Sequence, residues 1–181
     1  MKAIQSIYKN VKFRSRLEVR WAVFFDALGI EWLYEPEGFD LDGEWYLPDF
    51  FLPSFNGGTW CEVKPHEGDF SKAKRFVEKT KKSIWLCEGN PEMRVTQLLC
   101  WAEVDPALNS NLFKKKSEAG FIESFTVIPL FDQAEGENRF FWEPGYENSD
   151  GTIPEEYWIS KPYRDAVIKA NGLLDDLIAT P

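Results

Sequence analysis

Three residues suited to phosphate chemistry stand close together in this chain. Asp49 follows Pro48, and Glu62 and Lys64, separated by Val63, come thirteen and fifteen residues after it. Carboxylates offer hard oxygen donors. Mg²⁺ favours one or two of them, completed by water and substrate phosphate oxygens. Hydrolysis of a phosphodiester needs an activated water and neutralised charge on the phosphorus oxygens. Lys64 could orient the water, help to deprotonate it, or stabilise the developing charge. One-metal and two-metal schemes both fit this set.

The elements that must position these residues follow from periodicity. Residues 59–64 (Thr-Trp-Cys-Glu-Val-Lys) read as a strand. Alternation puts Trp60, Glu62 and Lys64 on one face and Cys61 and Val63 on the other. Two charged side chains in an apolar strand are costly unless they face a polar site or pair with each other. Residues 14–28 read as a helix with Leu17, Trp21, Phe24, Phe25 and Leu28 inward, Ser15 as N-cap and Gly29 as stop. Glu18, Trp21, Ala22 and Phe25 lie on one stripe of it, so Glu18 is a carboxylate at the edge of the buried face. A metal, a water on it, or Lys64 would satisfy Glu18. Arg14, Arg16 and Arg20 are candidates for DNA phosphates, and Arg14 could pair with Glu18 instead.

The stretch Phe13-Arg14-Ser15-Arg16-Leu17-Glu18, the block Tyr46-Leu47-Pro48-Asp49-Phe50 and Glu62-Val63-Lys64 resemble the PD-(D/E)XK nuclease superfamily. The likeness is greatest to its small phage and mobile-element members and its Holliday-junction-resolvase-like branch. It covers roughly residues 8–90. It implies an α/β restriction-endonuclease-like αβββαβ core with a mixed central sheet flanked by helices. It further implies that Asp49 and Glu62, with the Val63 carbonyl, bind Mg²⁺ or Mn²⁺, that Lys64 is catalytic, and that Glu18 assists at the metal. The expected activity is metal-dependent DNA hydrolysis, on substrates that include branched or single-stranded DNA. Two alternatives stand beside it: a catalytically silent nucleic-acid-binding protein of the same fold, and an acidic protein-interaction module.

The rest of the core reads as follows. Residues 30–35 form a strand closed by Pro36. Residues 44–51 form a second, interrupted or at an edge at Pro48. Residues 70–82 form a basic amphipathic helix with Phe70, Ala73, Phe76 and Val77 inward. Residues 83–87 form a buried strand, ended by Gly89-Asn90-Pro91. Lys72 and Arg75 on the basic helix are further candidates for DNA contact. His66, the single histidine, reads as an exposed loop residue, with general-base or phosphate roles as the alternatives. Residues 1–90 are thus expected to be the nuclease core. Residues 91–181 are expected to be a C-terminal α+β extension packed on it, with strands over 121–131 and 138–142 around a Gly136 turn and a helix over 163–179. Lys114-Lys115-Lys116 reads as a charged loop, and Phe140-Phe141-Trp142 as core or interface.

Composition sets the remaining bounds. Hydrophobic residues make up 44% of the chain and aromatics 16%, enough for a well-filled core. The formal net charge of −9 argues against a general nucleic-acid coat protein. It leaves a nucleic-acid enzyme open, because the charge is uneven. Residues 1–20 hold six Lys or Arg against one acid, while residues 117–181 hold four against thirteen. A basic N-terminal half could face DNA, and the acidic C-terminal part could take a protein partner. A homodimer would suit a two-strand cutter. Cys61, Cys87 and Cys100 are odd in number and set among apolar residues, which suggests reduced, buried thiols. With neither a signal-peptide pattern nor a ~20-residue apolar run, the expected location is the cytoplasm, with no membrane partner.

Overall fold

The computed structural model describes residues 6–55, 57–91, 96–102, 121–132, 137–141 and 165–172. The chain enters through a hairpin, β1 (Ser6–Tyr8) and β2 (Val11–Phe13), followed by helix α1 (Arg16–Ala27). Ser15 is extended (φ −140°) and its hydroxyl accepts the Glu18 N–H, so the N-cap falls where the sequence puts it. At the other end the Gly29 N–H reaches the Asp26 carbonyl and the Ile30 N–H reaches that of Phe25. This pair of bonds closes the last turn and needs a left-handed residue, which Gly29 supplies at φ 70°.

Strand β3 is only Leu33–Tyr34, shorter than the expected 30–35, because Glu35 turns into the left-handed region before Pro36. A small hairpin, β4 (Phe39–Asp40) and β5 (Trp45–Tyr46), comes next. It precedes β6 (Phe50–Leu52) and β7 (Thr59–Lys64). The expected strand over 44–51 is therefore two pieces broken at Pro48. Helix α2 (Ser71–Thr80) crosses over to β8 (Ile84–Glu88), which lies parallel to β7 with Glu62 opposite Leu86. Every other pairing in the main sheet is antiparallel.

The sheet does not stop at residue 90. Strand β9 (Thr96–Ala102), absent from the sequence reading, pairs with β8, and β10 (Phe121–Asp132) and β11 (Glu137–Phe141) follow. The result is one seven-stranded mixed sheet in the order β11-β10-β9-β8-β7-β6-β3. The expected β10–β11 pairing is present, and it extends the core sheet. Residues 165–172 form a third helix, α3. The Gly136 turn, Lys114–Lys116, Trp142 and residues 173–179 lie outside the described residues.

Helices cover both faces of the sheet. Trp21, Phe24 and Phe25 of α1, with Ala166 and Ala170 of α3, pack on the face that carries Phe50, Cys61, Val63 and Trp85. Ala73, Phe76 and Val77 of α2 pack on the other face, against Trp60, Ile84, Leu86 and Leu99. The alternation expected for β7 is thus realised, with odd residues beneath α1 and even residues toward α2. Cys61 and Cys87 are buried free thiols and Cys100 is half-buried. Among the described residues no helix is long and apolar enough to cross a membrane.

Candidate active site at the β6–β7 divergence

The ladder between β6 and β7 ends because of one proline. Its register pairs Leu52 with Thr59, Phe51 with Trp60 and Phe50 with Cys61. Continued, it would place Pro48 opposite Val63. Along a strand, alternate residues turn their N–H and C=O to opposite edges. Trp60 donates to Ser83 and Lys64 accepts from Gly89, so the even residues of β7 address the β8 side. Cys61 and Val63 therefore address the β6 side. Pro48 has no N–H to give the Val63 carbonyl. The chain peels away, and the Val63 N–H is taken by the Asp49 side chain, Oδ2, at 2.7 Å.

This break lies beside three buried carboxylates: Glu18 of α1, Asp49 just before β6 and Glu62 of β7. Asp49 and Glu62 are 4% and 5% exposed, and Glu18 is 7% exposed. Glu62 is held at both oxygens: Oε2 accepts the buried Tyr46 hydroxyl at 2.8 Å, and Oε1 lies 2.6 Å from Lys64 Nζ. The pairing of Glu62 and Lys64 on one face is thus realised directly. Glu18 accepts the Tyr34 hydroxyl at 2.6 Å and the Arg14 backbone N–H at 3.1 Å through Oε2, and the Ser15 hydroxyl at 2.7 Å through Oε1. Asp49 Oδ1 lies 2.7 Å from Arg14 Nη2. The Arg14 side chain therefore turns to Asp49 and not to Glu18.

The electrostatics show a surplus of negative charge. Burial, and next the Glu62 charge, push the Asp49 carboxyl up to about 8; Glu18 adds to the rise, while the Val63 N–H and Arg14 oppose it. Tyr46 is held firmly protonated by burial and by Glu62, so it acts as a donor. Glu35 is the residue that sequence reasoning missed. Burial raises its carboxyl, Arg14 opposes the rise, and the Glu18 and Glu62 charges add to it. Its backbone N–H donates to the Asp49 carbonyl at 2.9 Å, and its φ of 45° is strained for a glutamate. The signal available in the sequence was an acid placed directly before Pro36, where regular strand must end.

The candidate DNA contacts fare differently. Arg14 and Arg20 are engaged, Arg14 with the acids above and Arg20 with Asn90 Oδ1 at 2.5 Å. Arg16 is half-buried in the first turn of α1. Lys72 lies 2.6 Å from Glu44, and Arg75 binds Glu44 and the Leu41 carbonyl. Lys79 pairs with Asp42 at 2.6 Å. The basic face of α2 is thus largely neutralised by the β4–β5 turn. His66 is exposed, its ring stacked over Gly89, where even a Cβ would meet it at 2.4 Å.

Among the described residues no three Asp, Glu, His or Cys side chains converge closely enough to hold a metal ion as they stand. The donor chemistry still suits Mg²⁺. Asp49 and Glu62 are two hard carboxylates, the Val63 carbonyl lacks its ladder donor, and Mg²⁺ takes its remaining ligands from water and substrate. The raised Asp49 carboxyl marks a place short of positive charge. Compared with known proteins, the chain matches no family model, no curated protein and no solved structure.

Proposed function

We propose that this protein is a divalent-metal-dependent nuclease that hydrolyses phosphodiester bonds in DNA. The observation that carries this reading is the meeting of Asp49, Glu62 and the unladdered edge of Val63 at the Pro48 break, with Lys64 Nζ 2.6 Å from Glu62. With the separate β4–β5 hairpin set aside as an insertion, the succession α1, β3, β6, β7, α2, β8 supports the αβββαβ expectation and, with it, the resemblance to the PD-(D/E)XK superfamily. Mg²⁺ or Mn²⁺ held by Asp49, Glu62 and the Val63 carbonyl would supply Lewis-acid stabilisation of the phosphate and acidify a water molecule.

The chain's own groups do the rest. Tyr46 fixes the orientation of Glu62 by donating to Oε2. Lys64, whose side chain is 37% exposed, reaches the site opening, where its ammonium orients the attacking water and offsets charge on the phosphorus oxygens. Glu18, fixed by Ser15 and Tyr34, adds negative charge behind Asp49 and favours cation binding.

The test is cleavage of plasmid, linear, single-stranded and branched DNA in Mg²⁺ or Mn²⁺, with EDTA as control. Asp49→Ala and Lys64→Ala should each reduce cleavage by at least about 10²-fold with folding retained. A wild-type protein inert on every substrate, yet able to bind DNA, would favour the catalytically silent alternative.

A further inference from the structure

The pocket already holds a cation of its own. Arg14 Nη2 touches two carboxylates at once, Asp49 Oδ1 at 2.7 Å and Glu35 Oε1 at 2.5 Å. The contact with Glu35 is an ion pair without hydrogen-bond alignment, and that buried oxygen has no hydrogen-bond donor. The Arg14 backbone is fixed, its N–H shared between Glu18 and the Tyr34 hydroxyl. Its side chain is 55% exposed, so it can leave the pocket without disturbing the core.

We infer that Arg14 is an exchangeable counter-ion of this site, parked on Asp49 and Glu35, which a divalent cation must displace from Asp49 in order to bind. The inference rests on the metal-dependent reading above and specifies how that site is filled. A carboxylate oxygen has two acceptor directions, but filling both with cations brings the two positive charges close together. Mg²⁺ takes its oxygens at roughly 2.0–2.1 Å. A guanidinium nitrogen left on the same oxygen would sit next to the ion, and two positive charges a few ångströms apart in a partly buried place repel strongly. Glu35 explains why Arg14 is at hand. The strained left-handed turn at Glu35, tied by its N–H to the Asp49 carbonyl, brings the second carboxylate beside the first. The guanidinium thereby brings positive charge to the buried Asp49 and the half-buried Glu35 while no metal is present.

The test is Mn²⁺ binding to the full chain at fixed pH, followed by calorimetry or by the electron paramagnetic resonance of free Mn²⁺. Arg14→Gln should bind Mn²⁺ about tenfold more tightly than wild type, with the folded state verified by circular dichroism. Arg16→Gln, an equal loss of charge at a side chain that is ion-paired to neither Asp49 nor Glu35, should change affinity far less. Arg14→Lys, which keeps the charge on a compact, more strongly hydrated head group, should fall between wild type and Arg14→Gln; it also serves if the glutamine variant does not fold. If wild type binds Mn²⁺ and Arg14→Gln binds it equally or more weakly, the inference is overturned while the metal site stands. Equal tightening in Arg14→Gln and Arg16→Gln also overturns it, by reducing the effect to net charge. If no form binds Mn²⁺, the metal-dependent reading fails and the inference fails with it.

Discussion

Asp49 Oδ2 accepts the Val63 N–H at 2.7 Å, so a side chain takes the bond that the Pro48 carbonyl would accept if the ladder continued. One bond thereby fixes the position of a buried carboxylate relative to the strand that carries Glu62 and Lys64. It also leaves the Val63 carbonyl facing the same opening. A site built this way depends on the proline as much as on the acids.

Pro48→Ala tests that dependence. The alanine supplies the N–H that the Val63 carbonyl lacks, and the β6–β7 ladder can extend by one pair. Divalent-ion affinity should fall by about 10- to 100-fold, the scale seen when supporting groups of a metal site are altered. Thermal stability should change little. Mn²⁺ titration beside a melting curve checks both. Unchanged Mn²⁺ affinity would remove the Val63 carbonyl from the ligand set.

Tyr46→Phe removes only a hydroxyl. Glu62 Oε2 then loses its donor while the carboxylate stays buried. The expected destabilisation is about 1–3 kcal/mol, the cost of stranding a buried acceptor. Cleavage should fall further than stability, because Glu62 is free to rotate. Denaturant melts and single-turnover cleavage rates on the same preparation separate the two effects.

The metal-free protein should lose stability as pH rises through the neutral range. The Asp49 carboxyl is raised to about 8 in the fold from an ordinary value of 3.8. Between those values the native state holds a proton that the unfolded chain has released, so stability falls with increasing pH. The contribution is fully present below about 3.8 and is lost as pH approaches and passes 8. Asp49→Asn, which mimics the protonated form, should gain melting temperature relative to wild type as pH goes from 5 to 8 in EDTA. Mg²⁺ should narrow that gap by stabilising the wild-type carboxylate. A gap independent of pH would show that Asp49 does not carry this proton.

The sequence by itself determined much of this protein. Helical spacing placed Glu18 on the buried edge of α1, and Ser15 as its cap is observed. Strand alternation put Glu62 beside Lys64, and they pair at 2.6 Å. Pro48 announced a broken strand, since a residue without an N–H cannot complete a ladder. These are local rules, readable from a few neighbouring residues.

Tertiary structure alone decided the rest, because it brings together residues that local rules treat separately. Glu35 joins the site through Asp49 and Arg14, residues 14 and 21 positions away in the chain, and its strained turn is tied by its N–H to the Asp49 carbonyl. Arg14, read as a phosphate contact or a partner for Glu18, became the counter-ion of Asp49 because burial leaves the pocket short of positive charge. The acids beside the basic face of α2 were also beyond local rules: the β4–β5 turn sets Glu44 against Lys72 and Arg75, and Asp42 against Lys79. Likewise β9, β10 and β11 joined the core sheet because the edge of β8 offered unpaired backbone groups, a demand that no periodicity within residues 91–181 expresses.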